Sequence, residues 1–313
     1  MATLTVIRPG MLTTVQDLGR WGLQARGVPV AGPMDLYSHR LANLLAGNEA
    51  VAAALEVTLI GPELETDADV ECAVAGATFA LTAGDRPAPM HARFVLRARE
   101  RLRFGARSQG ARATLAVRGG LAVEPMFGSR ATSLISRMGP FDGGALRRGD
   151  VLTVATAARR PQPAAGGGAF PGPLAVPRGG TMLRIMPGPQ DHMFTRSAYD
   201  TLVGERFVVT PDSNRMGYRL SGPPLQHAGS ADILSDATPI GTLQVPASGQ
   251  PILLMADRQT TGGYPKIATV ITADLPLAGQ LAPGDWVQFR RVSRDDAIAA
   301  ARTRFAALEA AAR

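Results

Sequence analysis

Closely spaced glycine and proline residues limit most of this chain to short structural elements. The 313 residues include 35 glycines and 24 prolines, and both residue types interrupt helices and strands. Apolar runs of strand length lie between them, for example at residues 55–60, 70–75 and 114–117. This pattern predicts a mainly β fold with many turns and a few short helices. The alanine-rich stretch at 293–313 is the exception and predicts a C-terminal helix.

The chain also divides by composition into two halves. Residues 156–180 are dense in Pro, Gly and Ala, which is typical of an interdomain linker. GALRRGDVLTV at 144–154 and GQLAPGDWVQF at 279–289 share Gly, Leu, Gly and Asp at matching positions. The alternative to relatedness is chance, because a Gly-Asp turn before a strand is common. We predict β domains at 1–155 and 181–292, joined by this linker.

A polar loop between two predicted strands has the highest density of potentially functional side chains in the chain. Apolar runs at 252–255 and 267–271 enclose residues 257–266, which read Asp-Arg-Gln-Thr-Thr-Gly-Gly-Tyr-Pro-Lys. Two adjacent glycines allow a ligand to approach the backbone closely. A simple connection needs far fewer polar groups, so this loop is a candidate ligand site.

Lys266 is the only lysine of the chain. A lysine amine can lose its proton and act as a base or nucleophile when desolvated, whereas arginine stays charged. A lysine retained in this loop is therefore a candidate functional group, and an ordinary surface amine is the alternative. Asp257 either caps the following turn or orients Lys266. Arg215, in NRMGYRL, either binds an anion or packs its stem against the loop.

Charge and composition argue against several classes of function. The net charge is +7, but the arginines are scattered and no nucleic-acid-binding motif occurs. Arg97, Arg99, Arg101 and Arg103 alternate, which predicts one solvated strand face or a surface for an acidic partner. The four histidines lie far apart, so no metal site is predicted. One cysteine, no signal peptide and no membrane-length apolar run predict a cytoplasmic protein with neither nucleic acid nor membrane as partner.

Several segments together resemble the allophanate hydrolase subunit 2 family, also called the biotin-dependent carboxyltransferase or 5-oxoprolinase C-subunit family. They are TVQDLGRWG at 14–22, GPMD at 32–35, LEVTLIGPEL from 55, GSRAT from 128, SNRMGYRLSG from 213 and QVPASGQPILLMADRQTTGGYPKIATVI from 244. The resemblance runs from about residue 4 to 290. It implies two tandem cyclophilin-like β-barrel domains, which agrees with the many short strands.

The resemblance also implies a function. Members of the family are subunits of a 5-oxoprolinase that converts 5-oxo-L-proline to L-glutamate with ATP hydrolysis. Their partners are a protein of the subunit 1 type, which is the B component of 5-oxoprolinase, and a third subunit. Relatives within urea carboxylase transfer a carboxyl group from carboxybiotin to urea, and another relative acts with a histidine-kinase inhibitor. Carboxyl transfer with biotin, and regulation of a kinase inhibitor, are therefore the two alternatives.

Under the leading hypothesis, the loops at 13–35 and 257–266 face a shared cleft that holds a small amide substrate. ATP phosphorylates the amide oxygen, and cationic and hydrogen-bonding groups stabilise the charge that develops. The expected catalytic residues are Lys266, Asp257 and Arg215. The expected substrate-binding residues are Gln16, Asp35, Gln244, Thr260, Thr261, Gly262, Gly263 and Tyr264.

Overall fold

The computed structural model describes residues 1–156 and 174–311, and these form two compact units. The first unit comprises Met1–Arg20, Ala31–Val176 and Phe305–Arg313, and the second comprises Trp21–Val30 and Pro177–Arg304. Both are built mainly of strands, so the predicted mainly β class with few helices is confirmed. Most of the predicted linker, residues 157–173, lies outside the described residues.

The first unit contains a curled half-barrel sheet with nine strands among its described residues. The strands are β1 (Thr3–Arg8), β2 (Leu12–Gln16), β3 (Ala54–Thr58), β4 (Glu63–Thr66), β5 (Val70–Ala83), β6 (Arg86–Ala88), β7 (Arg93–Leu96), β8 (Arg101–Val117) and β9 (Val151–Thr153). Six strands follow in the order β2-β3-β8-β4-β1-β9, and β5 pairs with β6, β7 and β8.

Two helices accompany this sheet: α1 (Leu36–Leu45) and the short α2 (Pro140–Gly143). Helix α1 packs against β5 and β8. Asp35 is the N-cap of α1, since its Oδ1 accepts a hydrogen bond from the Ser38 amide at 2.9 Å. Alternate strand residues such as Leu55 and Val57 belong to the apolar core of this sheet, because successive side chains of a strand point to opposite faces.

The predicted face of four alternating arginines is wrong, because the chain turns between two strands there. Strand β7 ends at Leu96, β8 begins at Arg101, and Arg99 adopts a φ of 66° in the turn. Arg101 and Arg103 each contact Glu63 at 3.2 Å. These two cations are therefore bound within their own sheet.

The second unit contains a closed barrel of seven strands among its described residues, in the order β10-β17-β14-β15-β12-β11-β18. The strands of the whole second unit, inside and outside the barrel, are β10 (Gly180–Pro187), β11 (Arg206–Val209), β12 (Gly217–Ser221), β13 (Asp236–Ala237), β14 (Thr242–Gln244), β15 (Ile252–Leu254), β16 (Thr261–Gly262), β17 (Lys266–Val270) and β18 (Trp286–Arg291). Strands β13 and β16 form a separate two-stranded sheet. Helices α3 (Arg196–Gly204) and α4 (Leu275–Gly279) belong to this unit; α5 (Arg294–Ala311) begins in it, and its residues from Phe305 onward are assigned to the first unit.

The barrel core also follows from alternation along its strands. In β18, Val287 and Phe289 are buried while their neighbours are more exposed. The rings of Phe207 and Phe289 lie 6.1 Å apart inside the barrel. Burial of these side chains stabilises the second unit by the hydrophobic effect.

The two segments that echo each other in the sequence adopt the same turn. Gly149 and Gly284 have φ values of 91° and 92°. The following residues, Asp150 and Asp285, each accept a hydrogen bond from the amide three residues earlier, at 2.7 and 2.8 Å. A Gly-Asp pair thus forms the same turn before β9 and just before β18.

Candidate functional site

The polar loop between β15 and β17 lies in the second unit and is held by the small sheet of β13 and β16. Their pairing sets Gly262 opposite Asp236. A Cβ at Gly262 would lie 2.6 Å from Nε2 of Gln244, so a side chain there would require the Gln244 amide to move. The amide of Ile233 donates to the carbonyl of Gly263 at 2.8 Å. The strand pairing therefore carries Asp236 to the far end of the loop.

Lys266 begins β17, and its side chain is only 1% exposed. Its Nζ lies 3.0 Å from Oδ2 of Asp236, whose side chain is 51% exposed. Within residues 1–156 and 174–311 the amine has no well-formed hydrogen bond. The Lys266 ammonium, followed by the amide of Ala237, holds the pKa of Asp236 below its ordinary value. The amine is thus buried, and its counter-ion reaches solvent.

Three glutamines are linked to Lys266, directly, by strand pairing or through one another. Gln190 Oε1 accepts from the Lys266 amide at 3.3 Å, and the Gln190 amide donates back to the Lys266 carbonyl at 3.3 Å. Gln244 Oε1 accepts from Gln259 Nε2 at 3.1 Å, and its own Nε2 donates to the Tyr264 carbonyl at 3.4 Å. Primary amides of this kind both donate and accept, which suits recognition of an amide or carboxylate ligand.

Arg215 and Asp257 form a buried ion pair with each other. The Arg215 guanidinium donates Nε to Oδ2 at 3.1 Å and Nη2 to Oδ1 at 3.0 Å, and both side chains are at most 3% exposed. The structure therefore places Asp257 against Arg215, while Asp236 is the carboxylate at Lys266. A two-point pair of this geometry fixes the start of the loop.

The other predicted residues of the loop differ in exposure. Thr261 and Tyr264 face solvent, and Tyr264 is 41% exposed as a whole residue. Thr260, Gly262 and Gly263 are partly buried. The loop thus presents a hydroxyl and a phenol outward, while its glycines are partly covered.

A cavity of about 320 Å³ lies beside this loop, entirely within the second unit. It includes part of the predicted loop at 13–35, from the segment Trp21–Val30. Most of its walls are apolar, and its polar side chains come from Gln24, Thr238 and the residues that follow β15. The principal lining residues are Trp21, Val30, Pro239, Ile240, Arg258 and Gln259.

Gln16 and Asp35 lie in the first unit, where each side chain supports the local fold. Gln16 Nε2 donates to Thr14 Oγ1 and to the Thr132 carbonyl, both at 3.0 Å. Asp35 caps helix α1 through Ser38. Gln16 Oε1 is buried without a hydrogen-bond partner in the described part of the chain.

Sequence reasoning missed four residues of the site: Gln190, Asp236, Arg258 and Gln259. No spacing rule links the first two to Lys266, since they meet only through strand pairing. Arg258 and Gln259 stand inside the predicted loop, and their proximity to the cavity is set by the turn after β15. The unusual density of polar residues there was the available signal.

Other kinds of site are not supported in the described ranges. No group of three His, Cys, Asp or Glu side chains there is arranged to hold a metal ion. Burial raises the pKa of the Cys72 thiol to about 12, so this cysteine is not a ready nucleophile. None of the described helices has the length and apolar character needed to span a bilayer.

Comparison with known proteins identifies a matching family and related sequences. The profile described as carboxyltransferase domain, subdomain A and B, matches residues 26–291. The chain is 38% identical over 297 residues to the C subunit of 5-oxoprolinase from Escherichia coli (strain K12), covering 95% of this chain and 94% of the relative. It is 36% identical to the C subunit of 5-oxoprolinase from Haemophilus influenzae, covering 91% and 89% of the two chains.

A solved structure is similar over almost the whole chain. The urea amidolyase of K. lactis matches with a TM-score of 0.91 and 30% sequence identity. The match covers 99% of this chain but only 20% of the amidolyase, so the chain corresponds to one part of that larger protein.

Proposed function

The chain belongs to the family of carboxyltransferase domains, subdomains A and B, and from this premise we propose that it is a subunit of an ATP-dependent 5-oxoprolinase. The complex would convert 5-oxo-L-proline to L-glutamate with hydrolysis of ATP. The observation that carries the proposal is the similarity to the C subunit of 5-oxoprolinase, which extends over nearly the full length of both chains.

The second unit offers groups suited to binding a lactam. The amine of Lys266 is buried, and charge interactions in such a setting are stronger than in water. When the lactam is activated and water adds to its carbonyl carbon, negative charge builds up on oxygen. We assign Lys266 to stabilising that charge, and Gln190, Gln244 and Gln259 to orienting the amide. Tyr264, Thr260, Thr261, Gly262 and Gly263 stay predicted substrate-binding residues in this proposal.

Asp257 and Arg215 act in this proposal as a positioning pair. Their two-point contact holds the start of the loop that ends at Lys266. Gln16 and Asp35 lie in the first unit and stay predicted substrate-binding residues; Gln16 Oε1 is a buried acceptor without a partner among the described residues.

ATP is a co-substrate of the complex, and two buried cations of this chain do not suit its phosphates. Lys266 is already paired with Asp236, and Arg215 with Asp257. A triphosphate would have to displace a carboxylate in each case. The partners in this proposal are a protein of the subunit 1 type (the B component of 5-oxoprolinase) and the third 5-oxoprolinase subunit, and we assign nucleotide binding to them. The complex would act in the cytoplasm.

The test is reconstitution of the complex from this chain and the two partner subunits. We expect ATP hydrolysis that depends on 5-oxo-L-proline and yields glutamate in equal amount. Each component is omitted in turn as a control. A complete complex that hydrolyses no 5-oxo-L-proline would refute the proposal.

One alternative has a specific observation in its favour. The fold match to urea amidolyase covers nearly all of this chain, which favours a carboxyltransferase component that uses carboxybiotin. Bicarbonate distinguishes the two functions, because carboxyl transfer requires it and lactam cleavage does not. Turnover that depends on bicarbonate and biotin would support the alternative.

A further inference from the structure

Arg258 is a buried cation beside the cavity of the second unit. The residue is 7% exposed, and it lines the cavity together with Trp21 and Ile240. Its Nε donates to the Thr238 carbonyl at 2.7 Å, and its Nη1 donates to the Met255 carbonyl at 3.3 Å. These two contacts fix the plane of the guanidinium.

No carboxylate balances this charge within the described ranges. The two hydrogen bonds of Arg258 go to neutral backbone carbonyls, and neither involves Nη2. Burial alone lowers the pKa of Arg258 to about 10, with no acidic group opposing the shift. A buried charge without an ionic partner is costly, and a group perturbed in this way beside a cavity is a candidate for a functional site.

The contrast with other buried cations of the second unit is informative. Arg215 has a two-point contact with Asp257, and Lys266 lies against Asp236. Arg258 is also buried but has only carbonyl partners among the described residues. Of these three cations, Arg258 lines the cavity, whereas Arg215 and Lys266 do not.

The shape and lining of the cavity restrict the ligand. Its volume of about 320 Å³ is at the lower end of the range of about 300–1,000 Å³ found for small-molecule sites. The apolar walls, including Val30 and Pro239, suit a compact hydrocarbon body. Gln259 also lines the cavity and donates to Gln244, which connects the cavity to the glutamines around Lys266.

We propose that this cavity binds the carboxylate of 5-oxo-L-proline, with the Arg258 guanidinium as its anchor. The identity of the ligand rests on the proposed function, whereas the preference for a carboxylate rests on the unbalanced charge. The carboxylate accepts hydrogen bonds from Arg258, the methylene carbons of the ring contact the apolar walls, and the lactam points toward Gln259. The acid group is thus distinguished from the amide that reacts.

The first experiment changes the ligand and leaves the protein intact. Calorimetric titration of the full-length chain compares 5-oxo-L-proline with 5-oxo-L-prolinamide, which has the same ring but no charge. We expect the amide to bind at least about tenfold more weakly, because it cannot supply the counter-charge. Equal affinity for the two compounds, or binding of neither, overturns the proposal.

The second experiment changes the anchor in the reconstituted complex. Arg258→Lys keeps the charge but not the planar two-point geometry. We expect KM for 5-oxo-L-proline to rise at least about tenfold with little change in kcat, since the anchor binds ground state and transition state alike. Arg206→Lys is the matched control, because Arg206 stacks on Trp286 and does not line the cavity. Thermal unfolding of each variant verifies that the fold is intact.

The outcomes separate this inference from the proposed function. If the complex cleaves 5-oxo-L-proline and folded Arg258→Lys has an unchanged KM, the anchor is refuted while the function stands. If the wild-type complex does not cleave 5-oxo-L-proline, the function fails. The comparison of acid and amide binding by the chain alone then decides whether the cavity is a carboxylate site.

Discussion

At the scale of single residues, the lysine and the carboxylate near it form the central feature of the site. Lys266 is buried, whereas Asp236 is half-exposed, so water reaches the carboxylate but not the amine. Asp236 came from a part of the sequence without any recognised pattern. The chemistry expected of Lys266 therefore depends on a partner that only the fold supplies.

We expect Lys266→Met to lower kcat/KM of the reconstituted complex by about tenfold or more, since an apolar side chain cannot stabilise negative charge. Stability should change little, because the carboxylate left behind is already solvated. Steady-state kinetics and urea unfolding measure the two effects. Normal turnover by a folded variant would exclude the proposed role.

The same variant has a consequence for the titration of Asp236. Lys266 lowers the pKa of this carboxyl, so its removal should raise that pKa, which a carboxyl-detected NMR titration measures. In the wild type, the stabilising effect of the pair is present above the pKa of the unfolded chain. It is lost as the pH falls through the lower pKa of the folded state.

His39 gives a pH-dependent stability that does not involve the site. Burial is the largest cause of its shift, lowering its pKa from 6.5 to about 4, and Asp17 opposes the shift. Because the folded pKa is depressed, the unfolded state binds the proton more readily, and stability falls as the pH drops from about 6.5 to 4. The loss approaches about 3 kcal/mol for this one group.

We therefore expect His39→Gln to flatten the dependence of unfolding free energy on pH. Between about pH 7 and pH 4, the wild type should lose about 3 kcal/mol more than the variant. Urea unfolding at several pH values measures this difference, and the variant serves as the control for all other titrating groups. Parallel curves for the two proteins would contradict the assignment.

At the scale of elements, the start of β17 is held by a close approach to the end of β10. Gly188 follows β10, and its amide donates to the Ile267 carbonyl at 2.9 Å. A Cβ on Gly188 would lie 2.1 Å from the Lys266 carbonyl oxygen. The position of the lysine thus depends on a glycine, which has no side chain, at position 188 of the neighbouring segment.

We expect Gly188→Ala to lower the free energy of unfolding by about 1–3 kcal/mol, because β17 must move to accommodate the methyl group. The same displacement should reduce turnover by the reconstituted complex. Gly204→Ala is the matched control: no described atom lies within 4 Å of its Cβ position, so alanine there is expected to be neutral or stabilising. Equal stability of the two variants would contradict the close approach.

At the scale of the whole molecule, each compact unit has its own buried core and its own sheet. The buried pair of Arg215 and Asp257 belongs to the second unit. Removing one member of such a pair leaves an uncompensated charge and costs about 3–5 kcal/mol. The loss of stability should be largest in the unit that contains the pair.

We expect Asp257→Ala to reduce hydrogen-exchange protection in peptides from β10, β12 and β17, and to change β5 and β8 much less. Asp200→Ala, on the exposed side of α3, is the control and should alter neither set. Peptide-resolved exchange with mass spectrometry makes the comparison. A uniform loss of protection across both units would show that they unfold together.

The sequence by itself determined the kind of fold and the location of the candidate loop. Spacing of glycine and proline, together with alternation of apolar residues, acts locally, so short strands, the Asp35 cap and the Gly-Asp turns could be predicted from neighbouring residues. The single lysine among many arginines also marked its loop without any knowledge of contacts. The predicted arginine face failed because a turn at Arg99 interrupts the alternation, and a two-residue period does not reveal such a turn.

Only the tertiary structure decided which groups meet. Asp236 reaches Lys266 through pairing of β13 with β16, Asp257 binds Arg215 across 42 residues, and Arg258 is buried without a carboxylate among the described residues. These outcomes depend on strand register and barrel closure, which sum many weak contacts between distant segments. Local sequence carries almost no information about them, because the partners of a buried charge are chosen by the whole fold.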